Sequence, residues 1–359
     1  MSIDEKDQTD TKVRHGKLVS KVITLAHGGG GKAMRDLIDD VFITAFDNPA
    51  LNTLEDQARF ELKDLAKIGD RLAMTTDSYV ITPIEFPGGD IGKISICGTV
   101  NDLAVGGATP LYLTCGMIIE EGMEVEQLRK ICDSMARTAK EAGVVIVTGD
   151  TKVVDRGSCD KIFINTAGVG VINEKFQMGC EKCKPGDNIL VNGFLGDHGA
   201  AILNARGDMN LESPIESDCA PLQGIIQDVL AAAPNTRFIR DATRGGIASV
   251  LNEIAESSAV AIEIVEEDTP IRTEVKGFCE ILGLDPLYLA NEGKIVMVVP
   301  EEETEAALSA MRDHKYGKDA TQIGKILEGG RAGRVHMKTG FGGSRIVDML
   351  IGEQLPRIC

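Results

Sequence analysis

Short β-branched runs alternate with amphipathic helical runs along almost the whole of this 359-residue chain. Each kind of run leaves one apolar face, and the two faces are buried together when helices lie on a sheet. Leu72–Thr76 reads as a strand ending at Asp77, and Tyr79–Thr82 continues extended. A helix is expected over Ile91–Val105, with Ile94, Val100 and Leu103 among its apolar positions and Gly106-Gly107 closing it. Leu111–Ile119 reads as a strand, Val125–Ala139 as a helix with one buried face, Val144–Val147 as a buried strand and Ile162–Ile172 as another. The polar stretch 173–187 separates these from a second series. That series holds a strand from Ile189, a short helix opening at Gly196-Asp197-His198-Gly199 and an amphipathic helix over 222–233. A strand Phe238–Asp241 and a helix after Gly245 follow, then strands near 260–265 and 295–299 and a helix near 301–312. Each half contains a strand ending in Asp, a Gly turn and an apolar helix, which suggests duplication. The expected class is α/β plus α+β, with domains over 17–175 and 176–345. A polar extension, 1–16, precedes them, and a mobile tail, 346–359, follows and ends in Cys359.

Lys and Arg number 38 against 55 Asp and Glu, a net charge of −17. Such a surface does not seek nucleic acid or an anionic membrane. A polyphosphate ligand then needs metal ions between its phosphates and the protein's carboxylates. The first forty residues hold no apolar signal core, no apolar run reaches membrane-spanning length, and nine cysteines are scattered. A cytoplasmic, reduced protein is expected. Cys180 and Cys183 form a close pair, but a structural zinc site wants a second pair at similar spacing, so they read as loop cysteines.

Three places invite chemistry. His27 to Lys32 is a Gly-rich turn before a helix, and Gly30 and Gly31 are candidates for a lid over phosphates. It is not a P-loop, because positions 26 and 33 are both Ala. Gly28 to Ala33 does match the dinucleotide fingerprint, a match that four consecutive glycines make cheap. Asp77 and Asp150 follow apolar strands, and Asp102 sits on a helix beside Asn101. Alone, each is an ordinary capping aspartate. Together, with Thr151 and Lys152 next to Asp150, they suit Mg²⁺, which takes one or two carboxylates per element and completes its shell with phosphates. Glu292, before the strand Lys294–Val299, is the third place, a carboxylate at a cleft edge.

Several stretches carry a resemblance. They are Thr75 to Pro110, Thr148 to Val154, Gly196 to Ala200, Arg240 to Gly246, Asn291 to Lys294 and the closing Pro356-Arg357-Ile358-Cys359. From about residue 22 onward the chain resembles the HypE family of nickel–iron (NiFe) hydrogenase maturation factors, the carbamoyl dehydratases. That resemblance implies the aminoimidazole-ribonucleotide synthetase-like two-domain fold, dimeric through a β-barrel closed by the N-terminal domains. It implies that Cys359 receives a carbamoyl group from a carbamoyltransferase maturation partner. ATP then drives its dehydration to a thiocyanate, whose cyano group passes to an iron-centre assembly scaffold. By the same resemblance Asp77, Asp102 and Asp150 hold Mg²⁺-ATP, Lys152 stabilises the oxygen being phosphorylated, and Glu292 is the candidate base. The alternatives are a selenophosphate synthetase-like enzyme and a docking scaffold without chemistry. Against the former, the first cysteine is Cys97, well past the Gly-rich turn.

Overall fold

The computed structural model describes residues 18–207, 214–352 and 357–359. The extension 1–16 lies outside them, as does part of the expected tail.

The first half is a four-stranded sheet of β1 (Arg71–Tyr79), β2 (Ala108–Glu120), β3 (Val145–Val154) and β4 (Ile162–Ile172), in the order β1-β4-β2-β3. The parallel pair β2/β3 is bridged by helix α2 (Val125–Ala142); the other pairs are antiparallel. Helix α1 (Ile91–Val105) begins where the Asp90 carboxylate accepts the Lys93 N–H at 2.8 Å. It is buried on nearly every side, because it packs against the sheet, against α2 and against the second half. The opposite face of the sheet is open. Alternation there turns Leu72, Met74 and Ile118 outward, with Met74 76% exposed.

The second half is a seven-stranded sheet. Its strands are β5 (Asn188–Val191), β6 (Phe238–Asp241), β7 (Ala261–Val265), β8 (Ile295–Val299), β9 (Thr321–Leu327), β10 (Arg334–Lys338) and β11 (Ser344–Val347). The order is β11-β10-β7-β9-β5-β8-β6, and only β7/β10 is parallel. β8 is apolar throughout because both its faces are covered. Ile295, Met297 and Val299 join a core with Ile225 and Val229 of helix α4 (Gln223–Ala232). Val296 and Val298 join another with Ile247, Leu251 and Ile254 of helix α5 (Gly246–Ser257). The core of the first half also takes in Ile202 of helix α3 (Asp197–Ala205), together with Cys219, Ala290 and Ile358. A buried polar latch joins the halves: Asn101 on α1 donates to the Ala220 carbonyl at 3.1 Å and accepts the Leu222 N–H at 2.7 Å.

Some elements differ from the sequence reading. Asp77 and Asp150 lie within strands rather than just after them. β3 runs on past Val147 because Gly149 lets it lie close to β2; a Cβ there would stand 2.5 Å from the Cys115 carbonyl oxygen. The helix Thr273–Leu282 and the strands β9, β10 and β11 fall where no element was expected.

Asn101→Ala leaves the Ala220 carbonyl and the Leu222 N–H buried without partners, a loss of about 2–4 kcal/mol. Chemical denaturation should show it, and a change below about 1 kcal/mol would mean that the latch is dispensable.

Candidate active site

A cavity of about 480 Å³ opens where β1, α1 and the end of β6 meet the turn before β8. Asp77, Asp102, Asp241, Arg244, Glu292 and Cys359 line it. Asp102 leans from α1 toward β1 and accepts the Thr75 hydroxyl at 2.9 Å. Asp77 accepts the Ser78 N–H at 2.9 Å, and its carbonyl accepts the Asn165 amide at 2.8 Å. Asp241 ends β6, paired in register with Ile295.

Glu292 is placed by its backbone. The Asp218 carboxylate accepts the N–H groups of Glu292 and Gly293 at 3.0 and 3.3 Å, and the Lys294 ammonium lies 3.0 Å away. Position 293 has to be Gly, since a Cβ there would stand 1.9 Å from the Asp218 carbonyl oxygen. Glu292 is 3% exposed, and its Oε1 has no hydrogen-bond partner among the described residues. Buried polar atoms are almost always paired, so an orphan facing a cavity marks a place for something else.

Arg357–Cys359 reach this cavity as a short segment held by backbone hydrogen bonds. The Val80 N–H donates to the Cys359 carbonyl at 3.3 Å and the Thr82 N–H to the Arg357 carbonyl at 3.2 Å. Arg206 donates to the carbonyls of Thr82 and Arg357 at 3.0 and 2.8 Å. The buried His198 ring lies 2.6 Å from the Ile358 carbonyl, and Arg357 pairs with Asp160. Ile358 is buried, and Cys359 packs against the same core.

Burial and crowding of like charges set the electrostatics. Burial, then the Glu292 carboxylate, push the Cys359 thiol up to about 12, with Arg244 opposing. Burial and then Asp102 raise Asp241 to about 7. Burial raises Asp102 as well, against the hydroxyl bond from Thr75. Glu292 is raised well above the carboxylate range by burial, then by Cys219, Asp218, Asp241 and Asp77. Three hard-oxygen donors, Asp77, Asp102 and Asp241, face one cavity at the expense of mutual repulsion, which fits Mg²⁺. Among the described residues no three such ligands close around one point. The set therefore fits a metal completed by phosphates rather than a protein-only cage.

Of the residues singled out by sequence, Asp77, Asp102, Glu292 and Cys359 come together here. Asn101 belongs to the latch between the halves and does not line the cavity. Gly30, Gly31, Asp150 and Thr151 line a second cavity of about 340 Å³, whose walls include Phe42, Phe46, Met117 and Ile146. Lys152 lies beside them, its ammonium 2.7 Å from both Asp150 oxygens, which holds that carboxyl below its ordinary value. β3 is the opposite edge of the sheet from β1, so within one chain this group stands apart from Asp77. The sequence reading missed Asp241, Arg244, His198 and Asp218 as site residues. The first two were legible in principle, since Arg240 to Gly246 repeats the pattern of strand, Asp and Gly turn.

Asp241 carries a folded pKa above its ordinary value, so the folded protein keeps a proton that the unfolded chain releases. Its stabilising effect is complete in acid and is lost as pH rises through about 7. Asp241→Asn should flatten the fall in Tm between about pH 4 and 7; an unchanged Tm profile would contradict the assignment.

Residues 55–172 match the model of the AIR synthase related protein, N-terminal domain, and residues 184–336 that of the C-terminal domain. Carbamoyl dehydratase HypE of Rhodobacter capsulatus is 61% identical over 337 residues, covering 94% of this chain and 98% of that protein. The protein of the same name from Escherichia coli (strain K12) is 51% identical, covering 94% and 99%. A crystal structure of HypE in complex with ATP superposes with a TM-score of 0.88 at 47% identity, covering 93% of this chain and 99% of that one. A HypE–HypF complex gives a TM-score of 0.75 at 48% identity, covering 88% and 99%. The chain belongs to the HypE family of AIR synthase related proteins.

Proposed function

We propose that this chain is an ATP-dependent carbamoyl dehydratase that converts an S-carbamoyl group on its own Cys359 to a thiocyanate during nickel–iron hydrogenase maturation. The observation that carries the reading is Cys359 seated in a carboxylate-lined cavity beside a buried carboxyl with an orphan oxygen. The relatives named carbamoyl dehydratase and the ATP complex support it.

The seated thiol is neutral, because burial pushes it up to about 12. A neutral thiol is a poor nucleophile, so the carbamoyl group is gained with the tail outside, where an unperturbed thiol titrates near 8.5. Inside, the sulfur needs no ionisation, since chemistry moves to the carbamoyl oxygen and nitrogen. Oxygen is a poor leaving group until ATP phosphorylates it. One proton leaves nitrogen at that step, and the second leaves as phosphate departs and the C≡N bond forms. Glu292 is positioned to take a proton from this nitrogen; its raised pKa makes it a stronger base than an exposed carboxylate. Arg244 faces the negative charge that gathers on the oxygen and phosphate. Asp77, Asp102 and Asp241 would hold Mg²⁺, which would supply charge neutralisation for the triphosphate.

The missing part of the nucleotide site comes from a second copy. The open sheet face exposes Leu72, Met74 and Ile118, and β1 and β3 are its two edges among the described residues. A two-fold closure into a barrel sets β3 of one copy beside β1 of the other, which carries the partner subunit's Asp150 and Lys152 toward Asp77. The apolar cavity beside Asp150 then takes the base of ATP, and Lys152 meets the phosphates. The HypE–HypF complex supports a maturation partner docking on this fold, and we take it to be the carbamoyltransferase. Transfer of the cyano group to an iron-centre scaffold completes the cycle. Nine free cysteines suit a cytoplasmic setting.

The test is the mass of the peptide 354–359, released by a glutamate-specific protease after incubation with the transferase and carbamoyl phosphate. Carbamoyl on Cys359 should become cyano only with Mg²⁺-ATP, and Asp102→Ala should block that conversion. An unmodified thiol, with the transferase shown to be active, would refute the reading. For the shared site, Asp102→Ala and Asp150→Ala should each be inactive. Mixing them through subunit exchange should restore about a quarter of wild-type activity, since one site in a mixed dimer is intact. No recovery despite proven exchange would place both aspartates in one subunit's site.

A further inference from the structure

We propose that His198, oriented by Ser217, is a positioning residue that locks Ile358 and Cys359 into the cavity, so that opening this lock separates loading of the thiol from its dehydration. The inference rests on the reading of Cys359 given above.

The His198 side chain is wholly buried and lies between the tail and the turn that carries Asp218. Its Nε2 is 2.6 Å from the Ile358 carbonyl, and its Nδ1 is 2.8 Å from the Ser217 hydroxyl. A carbonyl only accepts, so Nε2 carries the proton. Burial lowers the basicity of the ring and keeps it neutral, which leaves Nδ1 to accept from the hydroxyl. That hydroxyl in turn accepts the Cys219 N–H at 3.2 Å, so its own proton is free to point at Nδ1. The ring stands edge-on to Phe86, at 5.6 Å and 84°, which fixes its plane. Orientation is thus complete before the tail arrives.

The other tail contacts are made by backbone of Val80 and Thr82 and by the guanidinium groups of Arg206 and Arg357, which lie nearer solvent. His198 differs from them. When the tail leaves, its N–H is left in a buried place without the carbonyl, a loss that water repairs only by entering. Ile358 leaves its apolar seat in the same movement. The lock therefore favours return. Loading needs Cys359 outside and dehydration needs it inside, so a weaker lock should speed the first and slow the second. General damage to the fold slows both.

The experiment compares wild type with His198→Phe, which keeps a ring but loses the donor, and with His198→Gln, which restores an N–H. The first readout is alkylation of Cys359 by iodoacetamide at about pH 8, followed on the peptide 354–359; it needs no carbamoyl chemistry. His198→Phe should label about tenfold faster at Cys359 while the buried Cys97, Cys132 and Cys279 do not change, and His198→Gln should move back toward wild type. The second readout sets carbamoylation by the transferase against ATP-dependent conversion to cyano, and the two rates should move in opposite directions in His198→Phe. Unchanged labelling of Cys359 overturns the lock, and so do two rates that fall together. Should His198→Phe expose the internal thiols, Ser217→Ala is judged by the same criteria. If labelling responds but no carbamoyl ever appears on Cys359, the lock stands and the dehydratase reading falls.

Discussion

Asp218 is the charge on which the junction of the two halves depends. Its side chain is buried, and burial alone would raise its pKa. The Lys294 ammonium and the Glu292 N–H more than offset this and hold it below the ordinary carboxylate range. In return it fixes two successive peptide groups, those of Glu292 and Gly293, at the mouth of β8. Glu292 then has no freedom to turn its carboxyl toward solvent. A neighbouring ionised carboxylate also makes a second ionisation beside it costly, which is part of why Glu292 binds a proton more tightly than an exposed carboxylate does. One satisfied buried anion thus places and tunes an unsatisfied one.

Much of this fold was legible because each element obeys its own period. α1, β4 and β6 sit at the expected residues, and so does β8, whose uninterrupted apolar run matches the covering of both its faces. Legibility failed where period and composition were overridden by neighbours. β3 crosses Gly149 and Asp150 because β2 lies alongside to pair with it, a fact that no local pattern contains. β9, β10 and β11 are short and lie around a Gly-rich link, so their strand character comes from the sheet that receives them.

The site was legible in part for a related reason. Asp77 and Asp102 were grouped with Asp150 as aspartates at strand ends and on a helix, and Glu292 and Cys359 joined them by resemblance; no spacing links the four. Spacing also gave no hint that Asp150 and Asp77 would stand at opposite edges of one sheet. His198 and Asp218 gave little sign of their roles, because their partners are backbone groups brought close by folding. A backbone carbonyl has no signature in a sequence, so the residue that binds it has none either.

The seating of Arg357–Cys359 by backbone hydrogen bonds bears on how their seat is filled. Because the segment is tethered, its local concentration at the seat is set by geometry, roughly millimolar for a short connection, whatever the protein concentration. A free peptide of the same three residues faces no such advantage and has to match that figure to compete. The seat therefore does not need to bind tightly in order to be occupied, and weak binding is what permits rapid exchange. Selectivity against foreign peptides comes from the tether, which leaves the seat's own contacts free to serve release as much as capture.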